Sequence, residues 1–405
     1  MKSKITFIPH SICAPIGFTS SAVAANIRKS GKLDLGLICS QVPAVAAGVF
    51  TKNKVKAAPL VLTKKNIKDG LLQAIIINSG NANACTGKVG DLHAKQMIAK
   101  VAEGLNIDAN LVGVASTGVI GVTMPIDKIT NKIPSLVDSL SADANNKTAH
   151  AIMTTDTFVK EAAVEIQLNN SSIRIGGIAK GSGMIHPNMA TMLAFVTTDA
   201  DIEHKVLKDA LRNATNQSFN MISVDGDSST NDMVLVMANK MAKNTPIKSL
   251  NSEDGKIFYA GLVELMILLA KKIAQDGEGA TKLIEVTVIG AKSPKQAKNV
   301  AKSVVSSTLV KAAIFGNDAN WGRIACAVGY ADNQINPNKM QISLGNLKLF
   351  ANGLPLAFSE EDALNLLQQK TVNINIDLCL GNSHSMAWGC DLSYDYVKIN
   401  AAYRT

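Results

Sequence analysis

The sequence predicts an α/β (α+β) protein in which mixed β-sheets are sandwiched by helices, and three observations support this prediction. Short apolar runs rich in β-branched residues alternate with longer segments of helical periodicity. Some strand patterns follow one another with no helix between them, as in residues 158–177. Hydrophobic residues make up 47% of the chain and aromatic residues only 4%, which favours tightly packed layers over an aromatic-rich binding surface.

The individual elements follow from the spacing of apolar residues. Strands are predicted at 74–78, 111–116, 192–196, 284–290, 341–349 and 372–380. Helices are predicted over 91–105, 201–219, 254–275, 294–309 and 359–369, with a turn at 353–355. The helix at 294 has the clearest start, because Ser293 is placed to cap it and Pro294 suits the first helical position.

The charge pattern and the cysteines exclude several classes of protein. The net charge of +9 is spread over 405 residues without a run of five basic residues, which argues against a nucleic-acid partner. A generally basic surface and the steering of acidic substrates both fit this charge. No apolar segment reaches the roughly 18 residues of a membrane span, and the N-terminus lacks an apolar stretch of signal-peptide length. The cysteines show no Cys-x-x-Cys pair and no zinc spacing, which predicts small core residues, no metal and a cytoplasmic location; they are Cys13, Cys39, Cys85, Cys326, Cys379 and Cys390.

Residues 180–195 (KGSGMIHPNMATMLAF) carry the most specific chemical signal. Thr191 follows the small residue Ala190, behind a run of turn formers and ahead of an apolar run that predicts a buried strand. A threonine hydroxyl is a poor nucleophile unless a base takes its proton. A cut ahead of Thr191 would free an α-amino group with a pKa of about 7.7–8.0, which can be that base. Ala190–Thr191 is therefore a candidate self-cleavage bond, and Thr191 is the candidate nucleophile.

This stretch resembles the signature of the ornithine acetyltransferases, which are self-cleaving N-terminal-threonine enzymes of arginine biosynthesis. Further blocks resemble that family in the same order over essentially the whole chain, at 35–59, 115–121, 153–157, 223–232, 276–282, 316–323 and 395–403. The resemblance implies an α chain of residues 1–190 and a β chain of residues 191–405. It also implies one site shared between the two chains, and an assembly of two α and two β chains.

The family's reaction implies that the acetyl group of N2-acetyl-L-ornithine passes to L-glutamate through an acetyl ester on Thr191. It implies no cofactor, and no motif decides whether acetyl-CoA is also used as an acetyl donor. Two other functions stay open at this point. One is an aminopeptidase or amidohydrolase with the same self-processed nucleophile, in which water accepts the acyl group. The other is a binding or assembly protein that has lost self-cleavage.

The resemblance also implies the site residues. Thr117 and Gly118 form the oxyanion hole, because a hydroxyl and a glycine N–H at a tight turn can point at the oxygen that becomes negative. Lys180 contacts substrate; taken alone, its Lys-Gly-x-Gly string lacks the spacing of a phosphate-binding loop. Glu278, between two glycines, suits the ammonium of an amino-acid substrate. The remaining substrate contacts are Thr154, Asn400 and Thr405, and Asn400 offers both donors and acceptors.

Three other polar groups are given minor roles. Residues 225–232 lack the twelfth-position glutamate of a calcium loop and are predicted to form a structural turn network. Residues 317–323 form a polar cluster, predicted to lie between a strand and a helix and to support the site or its access. His186 is near Thr191 in sequence, but the freed amine makes it unnecessary as a base.

Overall fold

A computed structural model describes residues 4–28, 31–143, 145–186 and 192–402. Over these residues the chain folds into two mixed β-sheets flanked by helices, which confirms the predicted fold class. Three residues of the predicted site, Ala190, Thr191 and Thr405, lie outside the described residues.

The first sheet has nine strands and carries much of the site. They are β1 (Ile5–Ile8), β2 (Phe18–Val23), β3 (Leu35–Phe50), β4 (Leu71–Asn78), β5 (Val112–Ser116), β6 (Lys160–Gln167), β7 (Ser172–Lys180), β8 (Leu193–Thr198) and β10 (Met233–Ala238). Their order in space is β1-β6-β7-β8-β10-β3-β4-β5, with β2 paired to β3. Both β8 and β10 are buried at every position, as their unbroken apolar sequences predict.

The second sheet has seven strands. They are β9 (Ile222–Ser223), β11 (Leu283–Ala291), β12 (Gln341–Leu344), β13 (Leu347–Ala351), β14 (Leu354–Pro355), β15 (Thr371–Asp377) and β16 (Ser383–Cys390), in the order β14-β13-β12-β15-β11-β16-β9. The prediction of one strand over 341–349 is wrong, because β12 and β13 form an antiparallel hairpin. Gly345 makes the turn with a φ of +56°, a conformation that glycine adopts without a Cβ penalty.

Twelve helices cover the described part of the two sheets. They are α1 (Ala58–Asn66), α2 (Gly87–Leu105), α3 (Ile126–Thr130), α4 (Ile133–Asp138), α5 (Asn145–Ala151), α6 (His204–Gln217), α7 (Glu253–Gln275), α8 (Pro294–Ser306), α9 (Thr308–Phe315), α10 (Trp321–Gly329), α11 (Glu360–Leu367) and α12 (Tyr394–Ala402). The long helix α7 packs against β6 and β7 of the first sheet and β16 of the second, so it joins the two sheets through one core.

The helix starts follow local sequence closely. The Ser293 side chain accepts a hydrogen bond from the Gln296 N–H at 3.2 Å, which confirms the predicted cap of α8. The predicted end at 309 is wrong, because α8 stops at Ser306. Ser307 then caps α9 by accepting from the Val310 N–H. One helix pattern was therefore two helices separated by a capping serine.

The cysteines divide into two groups. Cys13, Cys39 and Cys390 are buried as predicted, and burial raises the pKa of the Cys13 and Cys39 thiols to about 11. The prediction fails for Cys85, Cys326 and Cys379, which are exposed. The number and spacing of the cysteines do not determine which thiols face solvent.

The strand order brings distant parts of the chain together. β8 and β10 lie between β7 and β3, so both neighbours of this central pair come from earlier in the chain. β8 runs antiparallel to β7, with Leu193 opposite Lys180. The end of β7 and the start of β8 therefore lie at the same edge of the sheet. In the sequence, residues 187–191 fall between these two strands.

Candidate active site

A cavity of about 250 Å³ opens at this edge of the first sheet. Its lining includes all six of the predicted oxyanion and substrate residues that the structure describes, namely Thr117, Gly118, Thr154, Lys180, Glu278 and Asn400. They come from five separate segments of the chain. The structure thus brings together every predicted substrate or oxyanion residue that lies within its described part.

Thr117 and Gly118 follow directly after β5, where the chain turns back to pair with Asn81. Gly118 has a φ of +132°, and a Cβ placed on it would lie 2.4 Å from the carbonyl carbon of Gly80. The backbone approaches too closely there for any other residue. Asn231 holds this corner from the far side, because its side-chain amide donates to the carbonyl oxygens of Ala82 and Ser116.

Lys180 is the last residue of β7, and its side chain enters the cavity from the sheet. Only 5% of the residue is exposed, so it is not the surface lysine that its sequence context alone would allow. Its ammonium donates a hydrogen bond to Thr117 Oγ1 at 3.3 Å. Burial lowers the pKa of Lys180, and the nearby Asp156 carboxylate opposes that effect.

Thr154 lies in the loop between α5 and β6. Its N–H donates to Asp156 Oδ2 at 2.9 Å, which closes a tight turn beside the cavity. Arg28 holds the other side of this loop by donating to the carbonyl oxygens of Met153 and Thr154. The loop is therefore fixed at both ends, and it places the Thr154 side of the turn on the cavity wall.

Glu278 lies three residues beyond the end of α7, and its carboxylate is aimed inward with 8% of the residue exposed. Gly183 packs directly on it: a Cβ on Gly183 would lie 2.3 Å from Glu278 Oε2. The Asn400 amide donates to Glu278 Oε2 at 2.9 Å. A carboxylate held in a small cavity in this way suits a ligand that carries an ammonium group.

Asn400 is carried by α12, the last helix described. Tyr396 on the same helix also lines the cavity, and burial together with the Asp225 and Glu278 carboxylates raises the pKa of its phenol. Apolar side chains anchor this helix only in part. Tyr396 and Ile399 are half-buried, whereas Val397 is 63% exposed. The helix is held mainly by its cavity-facing side.

The turn network predicted at 225–232 is confirmed. The Asp225 carboxylate accepts from the N–H groups of Met184, Ile185 and Asp227. Asp225 thus ties the 184–185 segment to the turn that follows β9. Within the described residues, no group of three or more His, Cys, Asp or Glu side chains is arranged to hold a metal ion.

Two other predicted groups lie away from the cavity. His186 is absent from its lining, and its Nδ1 lies 3.0 Å from Ser223 Oγ. The cluster at 317–323 lies between α9 and α10, not between a strand and a helix. Asn320 caps α10 there by accepting from the Arg323 N–H, which gives the cluster a role in helix capping.

Sequence reasoning missed three residues of the site: Asn231 and Tyr396, which line the cavity, and Asp156, which lies behind its wall. Each lies in a block that resembles the family: Asp156 was given no role, Asn231 was included only in the turn network, and Tyr396 was not assigned to the site. The Thr-Thr-Asp-Thr string was the one available signal for Asp156, because an aspartate in such a string can close a turn. Thr154 and Lys160 are near Asp156 in the sequence, but Lys180 and Gly181 are far from it, so its burial could not be inferred from neighbours alone.

The described part of the cavity combines several of the groups that acyl transfer uses. A hydroxyl, a tight glycine turn and a buried ammonium stand on one side, and an inward-facing carboxylate with an amide stands on the other. Donors suit an oxygen that becomes negative, and the carboxylate suits an amino-acid ammonium. The fold and the site together are those of an acyltransferase acting on a small amino compound.

Comparison with known proteins gives the family. The chain belongs to the ArgJ family, whose profile matches residues 19–405. It is 51% identical over 396 residues to the arginine biosynthesis bifunctional protein ArgJ of Symbiobacterium thermophilum, with 97% of this chain and 98% of that protein covered. The ArgJ protein of Staphylococcus epidermidis is 50% identical over 402 residues, with 99% and 100% covered.

A solved structure agrees with these relatives. The crystal structure of arginine biosynthesis bifunctional protein ArgJ from Bacillus halodurans is 51% identical to this chain. It covers 53% of this chain and 100% of its own, with a TM-score of 0.51. None of the helices in the described part of the present chain is both long and apolar enough to span a bilayer.

Proposed function

We propose that this protein transfers the acetyl group of N2-acetyl-L-ornithine to L-glutamate in arginine biosynthesis, through an acetyl ester on Thr191. The observation that carries the proposal is the single small cavity shared by Thr117, Gly118, Lys180, Glu278 and Asn400 in a member of the ArgJ family. These residues come from four separate segments of the chain, and one of them, Lys180, ends the strand that precedes Thr191 in the sequence.

The proposed chemistry begins with the Thr191 α-amine, which takes the proton of the Thr191 hydroxyl. The oxygen attacks the acetyl carbon, and the oxyanion that forms accepts from the Thr117 hydroxyl and the Gly118 N–H. Collapse breaks the amide C–N bond, and the ornithine nitrogen leaves with the proton held by the α-amine. The glutamate amine then attacks the ester, its proton returns to Thr191, and N-acetylglutamate is released.

Each remaining residue has a place in this scheme. The Glu278 carboxylate binds the substrate ammonium, and Asn400 holds that carboxylate in position. Lys180 donates to Thr117. Thr154 and Thr405 are the further substrate contacts, and the reaction uses no metal and no other cofactor. Acetyl-CoA is the donor we propose for a second activity, because the relatives are named bifunctional and the same acetyl ester would form.

Self-cleavage at Ala190–Thr191 is proposed as the maturation step. Thr191 Oγ attacks the Ala190 carbonyl, and water then hydrolyses the resulting ester. The products are 190 and 405 − 190 = 215 residues long, and 215/405 is 53% of the chain. The solved Bacillus halodurans chain is matched over its whole length and covers 53% of this chain, and this agreement in length supports a separate β chain. Two α and two β chains in a cytoplasmic assembly complete the proposal.

The test combines intact mass spectrometry with an acetyl-transfer assay. We expect wild-type protein to give two fragments that separate at residues 190 and 191, and to release ornithine from acetylornithine in a glutamate-dependent way. Thr191→Ala should remain one chain and be inactive, whereas Thr191→Ser keeps a hydroxyl and should still cleave. A fully active protein that stays a single chain contradicts the proposal. Acetyl loss that does not depend on glutamate favours a hydrolase instead.

A further inference from the structure

Behind the cavity wall lies a buried cluster of three charges: Asp156, Lys160 and Asp276. The Lys160 ammonium donates to Asp156 Oδ1 at 2.6 Å and to Asp276 Oδ2 at 2.5 Å. The side chains of Lys160 and Asp156 are 0% exposed, and that of Asp276 is 3% exposed. Two carboxylates and one ammonium leave one negative charge uncompensated within the cluster, and such a charge is costly to bury without a further partner.

Lys180 is placed to be that partner. The Asp156 carboxylate accepts from the N–H of Gly181 at 2.8 Å, so it contacts the backbone of the residue next to Lys180. The charges of Asp156 and Lys180 act strongly on one another: the Lys180 and Lys160 ammonium groups hold the pKa of Asp156 well below its usual value although its burial alone would raise it. With Lys180 included, the four charges sum to zero.

Several charges act on the Lys180 ammonium. Burial lowers its pKa most; Asp156 is the leading group that raises it, and Asp232 adds to that effect. Lys160 and Arg28 lower it. The other titratable groups on the cavity wall are Asp225, Asp227, Glu278 and Tyr396. Among the groups that act on Lys180, Asp156 therefore contributes most to keeping it charged.

The charge on Lys180 matters because of what it does to Thr117. A hydroxyl has one proton to donate and two lone pairs that accept. When the Lys180 ammonium donates to Thr117 Oγ1, it occupies a lone pair and leaves the hydroxyl proton to be donated elsewhere. A neutral amine could accept that proton instead, and Thr117 would then be lost as a donor to the substrate oxygen.

We propose that Asp156 is a positioning residue for acetyl transfer: its carboxylate keeps the Lys180 ammonium charged and in place, so that Lys180 turns the Thr117 hydroxyl proton toward the reacting carbonyl oxygen. The inference rests on the proposed function of the cavity. Asp156 acts through Lys180 and Thr117 and does not itself touch the substrate. Its second role is to join the Thr154 turn to the end of β7.

The test measures acetylation of the protein by acetylornithine in a single turnover, without glutamate, as a function of pH. Mass spectrometry of the fragment that begins at Thr191 gives the acetylated fraction. The rate should rise with pH as the Thr191 amine loses its proton and fall again as Lys180 loses its own. In Asp156→Asn we expect the falling limb to move to lower pH by about one unit or more, the effect of removing a nearby opposite charge.

Asp276→Asn is the matched control. It removes a carboxylate of similar burial from the same cluster, yet it leaves Asp156 facing Lys180. Both variants should lose stability, but only Asp156→Asn should move the falling limb. If the pH profiles of Asp156→Asn and Asp276→Asn coincide, Asp156 has only a structural role. If Asp156→Asn does not fold, Asp156→Asn combined with Lys160→Met removes the buried pair together. A smaller shift in the same direction is then expected, because the loss of the Lys160 charge partly offsets the loss of Asp156.

A second measurement follows Lys180 directly. Cyanate carbamylates neutral amines, and it is small enough to enter the cavity, so modification of Lys180 at different pH values reports its charge. The midpoint of labelling should fall to lower pH in Asp156→Asn and stay in place in Asp276→Asn. Wild-type protein that is never acetylated contradicts the proposed function. A different outcome overturns only the role given to Asp156: wild-type protein is acetylated, but in Asp156→Asn neither the falling limb of the rate profile nor the midpoint of Lys180 labelling moves to lower pH.

Discussion

The two sides of the cavity are built from different kinds of structure. One side, here called the strand wall, consists of Thr117, Gly118 and Lys180 at the ends of β5 and β7. The other, the tail wall, consists of Glu278, Tyr396 and Asn400, carried by the loop after α7 and by α12. The strand wall is fixed by sheet pairing and by buried charges. The tail wall depends on a terminal helix in which no described residue is buried.

This difference suggests that the strand wall stabilises the oxyanion and the tail wall binds the amino-acid substrates. Groups that stabilise a transient oxyanion must be in place before the reaction, so a rigid sheet edge suits them. Groups that admit and release amino acids need some freedom, and a helix with no buried residue in its described part suits that role. Substitutions in the strand wall should therefore lower turnover, while substitutions in the tail wall should raise KM.

The largest effect is expected for Gly118→Ala. The new Cβ would lie 2.4 Å from the backbone of Gly80, so the turn must move and the Gly118 N–H moves with it. Loss of one oxyanion donor typically costs about 10²–10³-fold in turnover, and we expect at least that loss. Steady-state acetyl transfer measures it, with the cleaved fraction determined in the same sample.

Gly121→Ala is the matched control for this prediction. Gly121 also has a positive φ, of +77°, but a Cβ there meets no atom of the described residues within 4 Å. The two variants share backbone strain, worth about 1–3 kcal/mol, and differ in the clash. Turnover that falls equally in both would mean that strain, and not the position of the oxyanion donor, explains the result.

An intermediate effect is expected for Glu278→Gln in the tail wall. The amide can still accept from Asn400, but it no longer attracts the substrate ammonium. Losing such a partner costs about 2 kcal/mol at the low end of the usual range, which is roughly a 30-fold rise in KM for acetylornithine. Self-cleavage should be largely intact because it needs no bound amino acid.

Asp395→Asn serves as the charge control for Glu278→Gln. It removes an exposed carboxylate from α12 that does not line the cavity. A comparable rise in KM in both variants would point to general electrostatic attraction. If Glu278→Gln fails to cleave itself but binds substrate as the wild-type protein does, Glu278 acts in maturation and not in substrate binding.

The smallest effect is expected for His186→Gln, which lies on neither wall. Burial, assisted by Lys302, lowers the pKa of His186 to about 4. Between pH 6.5 and 4 the unfolded chain therefore binds a proton that the folded chain does not, so stability falls as the pH falls. Wild-type protein should lose more of its Tm between pH 7 and pH 5 than His186→Gln does, with no change in turnover at pH 7.

The exposed His384 provides the comparison for this prediction. His384→Gln should lose Tm between pH 7 and pH 5 as the wild-type protein does. A large fall in turnover at neutral pH in His186→Gln would instead give this histidine a part in the reaction.

The sequence predicted features that depend on neighbouring residues better than features that depend on contacts between distant residues. Apolar periodicity located β5, α2 and α7 to within a few residues, and Ser293 capped α8 as expected. The hairpin at Gly345 was missed because the apolar pattern continues through the turn. The resemblance named the residues around the cavity. It did not name Asp156, which meets Lys180 and Gly181 only once the sheet has formed.

The order of strands in the first sheet has a consequence for making the protein. β8 and β10 fill the space between β7 and β3, and a cut ahead of Thr191 would leave them in a different polypeptide from both neighbours. An α chain produced alone would present two unpaired strand edges, and a β chain produced alone would present a bare pair of apolar strands. Such edges invite aggregation. The sheet should therefore form before the chain is cut, while all its strands belong to one polypeptide. Mixing separately produced α and β chains should yield precipitate instead of enzyme.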